Sequence, residues 1–303
     1  KSKYINTEKI KMSVSSEIKQ ELNKNTKLSN KELVKYELIG YLISGNIDIL
    51  ERNIIRFSTE SDYNINRFSK LLYNLKIEHN IEISGKNFIV SFKKNSIQEF
   101  VKIDEKQIFL KGDIQYEKNE ENLKTLVIGV FMGSGSINNP EKKYHLEIIF
   151  GNEENLKEIR KILEKLGIKT KKMITANKKS IYIKEGEEIS KFLALIGANK
   201  AVMRFEDIRI QKEMRGKVNR LVNCETANLN KTINASIEQI AAIKKLKETG
   251  KFNKLNDNLK EIANLRLENP DMPLIELGKK LRQPVGKSGV NYRLKKIMEL
   301  ANE

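Results

Sequence analysis

Two stretches of the chain are apolar on almost every side, and they resemble each other. Residues 38–46 read LIGYLISGN, and residues 127–135 read VIGVFMGSG. Each pattern predicts the end of a buried helix with a glycine in its middle, Gly40 or Gly129. Glycine in a helix interior costs about 1 kcal/mol relative to alanine. A glycine at the same place in both stretches therefore indicates that the two helices pack closely against each other.

The similarity continues downstream, which predicts an internal duplication. Each half is predicted to run helix, two strands, helix, two strands, helix. In the first copy these elements are a strand at 54–58, a helix at 63–75 and strands near 80–83 and 87–92; in the second, a strand at 144–150, a helix at 153–166 and strands near 169–174 and 180–184. Closing helices are predicted at 97–103 and 187–195. Two such halves would form an α+β body with a pseudo-two-fold axis and two antiparallel sheets.

The C-terminal region has a purely helical pattern. A short helix is predicted to start at Pro273 and to run through Leu274, Leu277 and Leu281, and residues 283–286 break it. Ser288 is predicted to cap a second helix. The buried stripe of this second helix would be Val290, Leu294, Ile297 and Ala301. Its outward face would then present Ser288, Tyr292, Lys295 and Lys296, with Asn291 and Arg293 at the borders.

The same segment is strongly basic, because residues 277–298 contain seven lysines and arginines and no acid. A short scaffold helix followed by a helix with a polar, basic outer face is typical of a helix-turn-helix that reads bases in DNA. Two further helices are predicted at 237–246 and 255–267, the first with its apolar positions at Ile237, Ile240, Ala241, Ile243 and Leu246. Together these helices predict an all-α domain of roughly 70 residues, near the lower limit for independent folding.

The segment from Arg215 to Ser236 is rich in asparagine and threonine. These residues favour caps and side-chain-to-backbone hydrogen bonds over helix interiors, so we expect a connector of mixed helix and turn. Its many donors would either follow DNA phosphates or satisfy each other at the junction between domains, and the sequence leaves both open. Cys224 within it is expected to be a small buried residue.

Composition narrows the class of protein. The chain has 303 residues and a formal net charge of +17, which favours a polyanionic partner. It has one cysteine, which excludes an intrachain disulfide and fits a reducing compartment. Cys224 and the two histidines, His79 and His145, lack metal-ligand spacing, so neither a metal nor another cofactor is expected. No run approaches the length of a membrane span.

The domain organisation follows from these patterns. Residues 1–11 are interpreted as upstream residues or residues added for expression, with Met12 as the natural start. The duplicated body is expected at 12–209, with halves of about 12–104 and 105–209. The connector would occupy 210–235, and the helix-turn-helix domain 236–303.

The duplication resembles the two-motif LAGLIDADG homing-endonuclease fold. In that family an acid at the end of each motif helix holds the catalytic divalent metal, and the matching positions here are Gly45 and Ser134. Neither side chain can serve as a carboxylate ligand. Asp48 lies near the first position but has no counterpart before Glu141. The pair His145 and Glu147 is interpreted as structural. The resemblance therefore implies the nuclease scaffold without metal or catalytic residues.

Over residues 12–303 the chain is similar to the bacterial WhiA family of sporulation and cell-division transcription regulators. Four segments determine this resemblance: SSEIKQEL at 15–22, GSGSINNPEKKYHLE at 133–147, RGKVNRLVNCETANLNKTINAS at 215–236 and PVGKSGVNYRLKKI at 284–297. Family members more often have histidine at the position of Tyr292. The resemblance implies sequence-specific binding of double-stranded DNA, a role in division, chromosome segregation or sporulation genes, and no enzymatic activity.

The expected DNA contacts all lie in the helix-turn-helix. They are Lys279, Lys280, Arg282, Lys287, Ser288, Asn291, Tyr292, Arg293, Lys295 and Lys296. Two alternatives stay open: an active LAGLIDADG-type nuclease, and a duplicated body that docks a partner transcription factor. We expect a cytoplasmic, nucleoid-associated protein, and a monomer rather than an obligate oligomer.

Overall fold

The computed structural model describes residues 12–25, 28–112, 114 and 118–303, so that the expectation about residues 1–11 lies outside the described residues. These residues form two compact units, one up to Lys212 and one from Glu213 onward. Among the described helices, none is both long enough and apolar enough to cross a bilayer.

The first unit contains the two predicted copies. The first copy consists of α1 (Val14–Asn25), α2 (Lys31–Ser44), β1 (Ile47–Leu50), β2 (Ile54–Thr59), α3 (Asp62–Asn74), β3 (His79–Ser84) and β4 (Asn87–Lys93), followed by β5 (Val101–Asp104) and β6 (Gln107–Leu110). The second copy consists of α4 (Glu120–Ser134), β7 (Gly135–Ile137), β8 (Leu146–Phe150), α5 (Glu153–Lys165), β9 (Lys171–Ile174), β10 (Lys179–Ile183) and α6 (Gly186–Leu195).

The two copies build the same antiparallel sheet. The strand order is β1-β2-β4-β3 in the first sheet and β7-β8-β10-β9 in the second. Registers correspond as well, since Phe57 faces Val90 in the first copy and Ile148 faces Ile181 in the second. The predicted duplication and its α+β class are therefore confirmed.

The motif helices α2 and α4 pack against each other through their glycines. A Cβ atom built on Gly40 would overlap the Leu126 carbonyl oxygen, and one built on Gly129 would overlap the Glu37 carbonyl oxygen. Any larger residue would force the helices apart. At their C-terminal ends, the Ser44 hydroxyl donates across the contact to the Val130 carbonyl at 3.1 Å. The close approach predicted from the paired glycines is confirmed.

A buried ion pair also ties α2 to α3. Arg67 donates from Nε to Oε1 of Glu37 at 2.8 Å and from Nη2 to Oε2 at 2.6 Å, and both residues are almost fully buried. This bidentate geometry compensates for taking two charges out of water. Glu37 lies on a helix that is otherwise apolar nearly all round, so the pair joins the two elements in one defined arrangement.

The closing helix predicted at 97–103 is wrong, whereas the one predicted at 187–195 is confirmed as α6. Residues 101–110 form the hairpin β5–β6, which turns at Glu105, whose φ is 46°. Val101 is buried while Lys102 is exposed, so β-branched residues alternate with polar ones as in a half-buried strand. Residues 97–103 are too few to distinguish the spacing of apolar residues in a helix from that in a strand.

The second unit and the end of the first share α7 (Asn199–Glu248), after which come α8 (Asp257–Glu268), α9 (Leu274–Lys279) and α10 (Lys287–Asn302). The mixed helix and turn predicted at 215–236 is wrong, since this segment is helical throughout. It contains no proline, and each residue added to an existing helix gains a hydrogen bond, which outweighs the weak preference of asparagine and threonine for turns. Cys224 is exposed rather than buried, as are Ile237 and Ala241 of the predicted apolar stripe.

Candidate nucleic-acid interface

The second unit has its own hydrophobic core, which fixes α10 by one face. Val290, Leu294, Ile297 and Ala301 of α10 are buried against Leu277 and Leu281 and against residues of α7 and α8. This is the buried stripe predicted from the sequence, and it is confirmed. Because the stripe covers one side of α10, the opposite side of that helix is left to solvent.

A glycine sets the tight connection between α9 and α10. The Val285 amide donates to the Gly278 carbonyl at 3.2 Å, and a Cβ atom on Gly278 would overlap the Val285 carbonyl oxygen. The chain can therefore fold back onto α9 only where no side chain intervenes. The first helix is shorter than predicted: it ends at Lys279, and Leu281 lies in the turn.

The predicted helix starts differ from the observed ones. Pro273 precedes the first turn of α9 as its N-cap. Ser288 does not cap α10; the helix begins at Lys287 and its N-cap is Gly286, which offers no side chain to the free amides. Gly286, in extended conformation, is the N-cap two residues before Ser288, and the sequence pattern did not distinguish these two starts. The first turn of α10 therefore has no capping side chain, and it also contains no acidic residue.

The outward face of α10 matches the sequence expectation residue by residue. Ser288, Tyr292, Lys295 and Lys296 are exposed, with 70% of the Tyr292 surface accessible. At the borders of the face, Asn291 is exposed and Arg293 is half-buried. These side chains follow one another at helical spacing, so they form a continuous polar and basic strip along the helix.

The remaining candidate cations surround the start of α10. Lys279 ends α9, Lys280 and Arg282 lie in the turn, and Lys287 opens α10, and all four are exposed. Across the residues that the structure describes, no ion pair involves any of the seven cations of segment 277–298. Their charge is therefore available to an external anion.

Sequence reasoning missed two residues beside this strip, Lys231 on α7 and Arg266 on α8. Arg266 is almost fully buried, and its Nη1 donates to the carbonyl oxygens of Asn269, Pro270 and Met272 at 3.4, 3.1 and 2.8 Å. It follows Leu259, Ile262 and Ala263 at helical spacing. A charged residue at a core position of an amphipathic helix was the signal that could have identified it.

In the first unit, small residues occupy the ends of the motif helices. Gly45 is the C-cap of α2, and Ser134 is the last residue of α4. The Ser134 hydroxyl donates to the Ile149 carbonyl at 2.6 Å, and Gly133 packs on Ser44 and Gly45. Within the described residues, no cluster of three or more His, Cys, Asp or Glu side chains could hold a metal ion.

Glu147, on strand β8, is hydrogen-bonded within its own sheet. It accepts hydrogen bonds from Lys178 at 2.7 Å and from Ser180 at 2.8 Å. Burial alone would raise the pKa of Glu147, but these two donors and the nearby charges of Lys178 and His145 outweigh it and lower the pKa. Nε2 of His145 lies 3.9 Å from the Glu147 carboxylate. This arrangement agrees with the structural role expected for the pair.

Comparisons with known proteins identify both units. The family profile described as the WhiA LAGLIDADG-like domain matches residues 123–215, and that of the WhiA C-terminal HTH domain matches residues 218–301. The probable cell division protein WhiA of Clostridium novyi (strain NT) is 39% identical over 319 aligned positions, covering 96% of this chain and 98% of that protein. The Clostridium tetani protein of the same name is 37% identical over 316 positions, with the same coverage.

Solved structures agree with the sequence matches. The crystal structure of full-length DUF199/WhiA from Thermotoga maritima has a TM-score of 0.57 and 29% sequence identity, and covers 96% of this chain and 98% of that one. The N-terminal LAGLIDADG domain of DUF199/WhiA has a TM-score of 0.51 and 26% identity, and covers 62% of this chain and 94% of that one. The chain therefore belongs to the WhiA family, with a LAGLIDADG-like domain followed by a helix-turn-helix.

Proposed function

We propose that this protein is a sequence-specific DNA-binding transcription regulator that uses α10 to read the major groove. The observation that supports it most is the outer strip of α10, where polar and cationic side chains alternate and no ionic partner neutralises them among the described residues. A helix of this kind fits the major groove, in which each base pair presents a distinct pattern of donors and acceptors.

The side chains divide into two kinds of contact. Asn291, Ser288 and Tyr292 are the candidates for base edges, because amide and hydroxyl groups can both donate and accept. Arg293, Lys295 and Lys296 would bind phosphate or guanine. Lys279, Lys280, Arg282 and Lys287 would bind phosphates and set the orientation of the domain, since backbone contacts position a protein without reading sequence.

In vitro selection tests this assignment. The full chain is incubated with a library of double-stranded DNA whose central positions are random, and bound molecules are amplified over several rounds. Enrichment of one motif is the expected result. A library that stays random after selection, while the protein still binds it, would mean that the chain contacts only the DNA backbone.

We infer that the LAGLIDADG-like domain does not cleave DNA. Two-metal hydrolysis of a phosphodiester requires carboxylates that converge on ions about 4 Å apart. Gly45 and Ser134 offer none, and the Glu147 carboxylate is bound to Lys178 and Ser180. Supercoiled plasmid should stay intact with Mg²⁺ or Mn²⁺. Nicking that copurifies with the protein and disappears in Asp48→Asn would contradict this inference.

The relatives named probable cell division proteins support a proposal for the regulated process. We propose that the protein acts in the cytoplasm at the nucleoid, as a monomer, on genes of cell division, chromosome segregation or sporulation. Chromatin capture with sequencing in the source organism tests this role. Binding sites spread at random with respect to such genes would contradict it.

A second function is favoured by one observation in the first unit. Tyr73, Ile81 and Ile83 lie at or near the free edge strand β3 and are all more than half exposed. Exposed apolar residues that cluster on one surface are typical of protein-protein contacts. We propose that this surface docks a partner transcription factor. Replacing Ile81 and Ile83 with serine should abolish capture of such a factor and leave DNA binding unchanged; equal capture by the variant would contradict it.

A further inference from the structure

The second unit contains an open cavity of about 270 Å³ between α7, α8 and the first turns of α9 and α10. Gln239 and Arg266 line its buried part, and Lys231, Lys287 and Asn291 line its exposed part. At about 30 Å³ for each water molecule, the cavity is larger than one or two waters require.

Two polar atoms of the buried part lack partners. Within the described part of the chain, Oε1 of Gln239 accepts no hydrogen bond and Nε of Arg266 donates none. The two side chains are only 5% and 1% exposed. Buried polar groups in proteins are almost always satisfied, and leaving one unsatisfied is costly. Both residues line the same cavity, so one bound molecule can accept from Nε of Arg266 and, with the Gln239 amide turned over, from the Gln239 nitrogen.

The charge of the cavity calls for an anion. Arg266, Lys231 and Lys287 line it and no acidic side chain does. Across the described residues, Arg266 has no ion pair, and its burial lowers the pKa of the guanidinium, an effect that the charge of Asp271 opposes. The first turn of α10 adds free amides and the positive end of a helix dipole, because Gly286 provides no cap.

We propose that this cavity is a binding site for a phosphate group. A phosphate offers several acceptor oxygens, which suit donors that approach from α7, α8 and α10. Arg266 would donate from Nε, Lys231 and Lys287 would contribute charge, and the Gln239 amide can present either its oxygen or its nitrogen. The phosphate belongs either to a DNA backbone beside α10 or to a free phosphorylated molecule. A DNA phosphate as the ligand rests on the proposed function, whereas a free phosphorylated molecule does not.

Binding of free phosphate is tested on the full chain by NMR. The Nε–H signal of Arg266 and the side-chain amide signals of Gln239 are followed while inorganic phosphate is added, with sodium chloride at equal ionic strength as the reference. We expect both signals to shift saturably with phosphate and not with chloride. Equal shifts with both salts would exclude free phosphate as the ligand and leave only a DNA phosphate as the source.

Variants locate the effect in the cavity. Arg266→Lys keeps a positive charge but removes Nε–H, and Lys231→Ala removes a surface cation with little risk to folding. Each should weaken phosphate binding by roughly tenfold, the loss expected for one charge-assisted hydrogen bond. Lys254→Ala, an exposed lysine of the same unit outside the cavity, is the matched control and should bind phosphate like the unchanged chain.

A random-sequence duplex of about 30 base pairs then distinguishes the two sources. If the phosphate is that of DNA, the duplex shifts the same Arg266 signal, and Lys231→Ala lowers the slope of log affinity against log salt by about one. If the phosphate is that of a free molecule, the chain still binds inorganic phosphate, and Lys231→Ala leaves the slope of log affinity for the duplex against log salt unchanged. Absence of any phosphate response together with an unchanged slope overturns the proposal. Failure to bind any duplex would contradict the proposed function alone, because the phosphate titration is independent of it.

Discussion

The two units of this protein use charge in opposite ways. In the first unit, lysines are paired with nearby acids, as in Lys157 with Glu153 and Lys191 with Glu187, and the Glu37–Arg67 pair is buried. In the described part of the second unit, ion pairing is seen at Lys217 and Glu213, far along the chain from α10. A formal net charge of +17 therefore does not by itself locate the DNA-binding surface. The surface is located instead by the cations of segment 277–298, none of which forms an ion pair with the residues that the structure describes.

The largest expected effect follows from breaking a pair inside the first unit. In Glu37→Gln the Arg67 guanidinium stays buried without a counter-ion, and we expect the free energy of unfolding to fall by about 3–5 kcal/mol. Chemical denaturation monitored by circular dichroism measures it. Glu153→Gln breaks an exposed pair and is the control, with little expected loss of stability. Equal stability of the two variants would contradict the structural role of the buried pair.

The complementary change removes unpaired cations from α10. Replacing Arg293, Lys295 and Lys296 together with alanine should weaken binding to the selected DNA site by roughly 100-fold and lower the salt slope by two to three. Fluorescence anisotropy over a salt series measures both. The matched control replaces Lys157, Lys161 and Lys191, which are ion-paired in the first unit, and should retain affinity within about threefold. Equal losses in both variants would mean that total charge, rather than its position, determines binding.

A smaller effect distinguishes recognition of the base sequence by α10 from its electrostatic attraction to DNA. Tyr292→Phe removes one exposed hydroxyl and no charge, so binding to the selected site should weaken by roughly fivefold while binding to random DNA is unchanged. Competition with selected and random duplexes measures the ratio. Tyr73→Phe removes an exposed hydroxyl from the first unit and should change neither value. An unchanged ratio for Tyr292→Phe would exclude the hydroxyl from base recognition.

The smallest effect concerns pH in the first unit. The lowered pKa of Glu147 means that its contribution to stability is present above the carboxyl pKa of the unfolded chain and is lost as the pH falls through the folded pKa. Glu147→Gln should therefore reduce the loss of stability on the acid side. Unfolding curves between neutral and acidic pH test it, with Glu141→Gln as the control. Identical acid-side slopes in the variant and the unchanged chain would contradict the role of Lys178 and Ser180.

The duplication and the buried stripe of α10 were predictable because they depend on repeated patterns. Gly40 and Gly129 mark the same contact twice, and Val290, Leu294 and Ile297 recur at helical spacing. The hairpin β5–β6 was not predictable, because the partner strand that stabilises Val101 lies beyond the window in which periodicity is measured. The helical state of 215–236 depends on cooperativity with neighbouring turns, which the preferences of single residues do not include.

The candidate site was predictable in composition but less so in geometry. Lysines and arginines of 277–298 stand out in the sequence, whereas the start of α10 depends on whether Gly286 or Ser288 ends the turn. Arg266 and Gln239 lie close only through the packing of α7 on α8, so no local pattern connects them. The predicted domain boundaries, 12–209, 210–235 and 236–303, and the individual DNA contacts stay predictions.

The contact between Gly40 and Gly129 also has a consequence for how the chain folds during synthesis. The two glycines are 89 residues apart, so α2 leaves the ribosome well before its partner exists. At ~5–20 residues per second, that interval is on the order of ten seconds. During it, the apolar residues of α2 have no second helix to cover them. Nascent chains stopped before Glu120 should therefore be the species that chaperones bind and that aggregates, whereas chains extended past Ser134 can bury this surface by themselves.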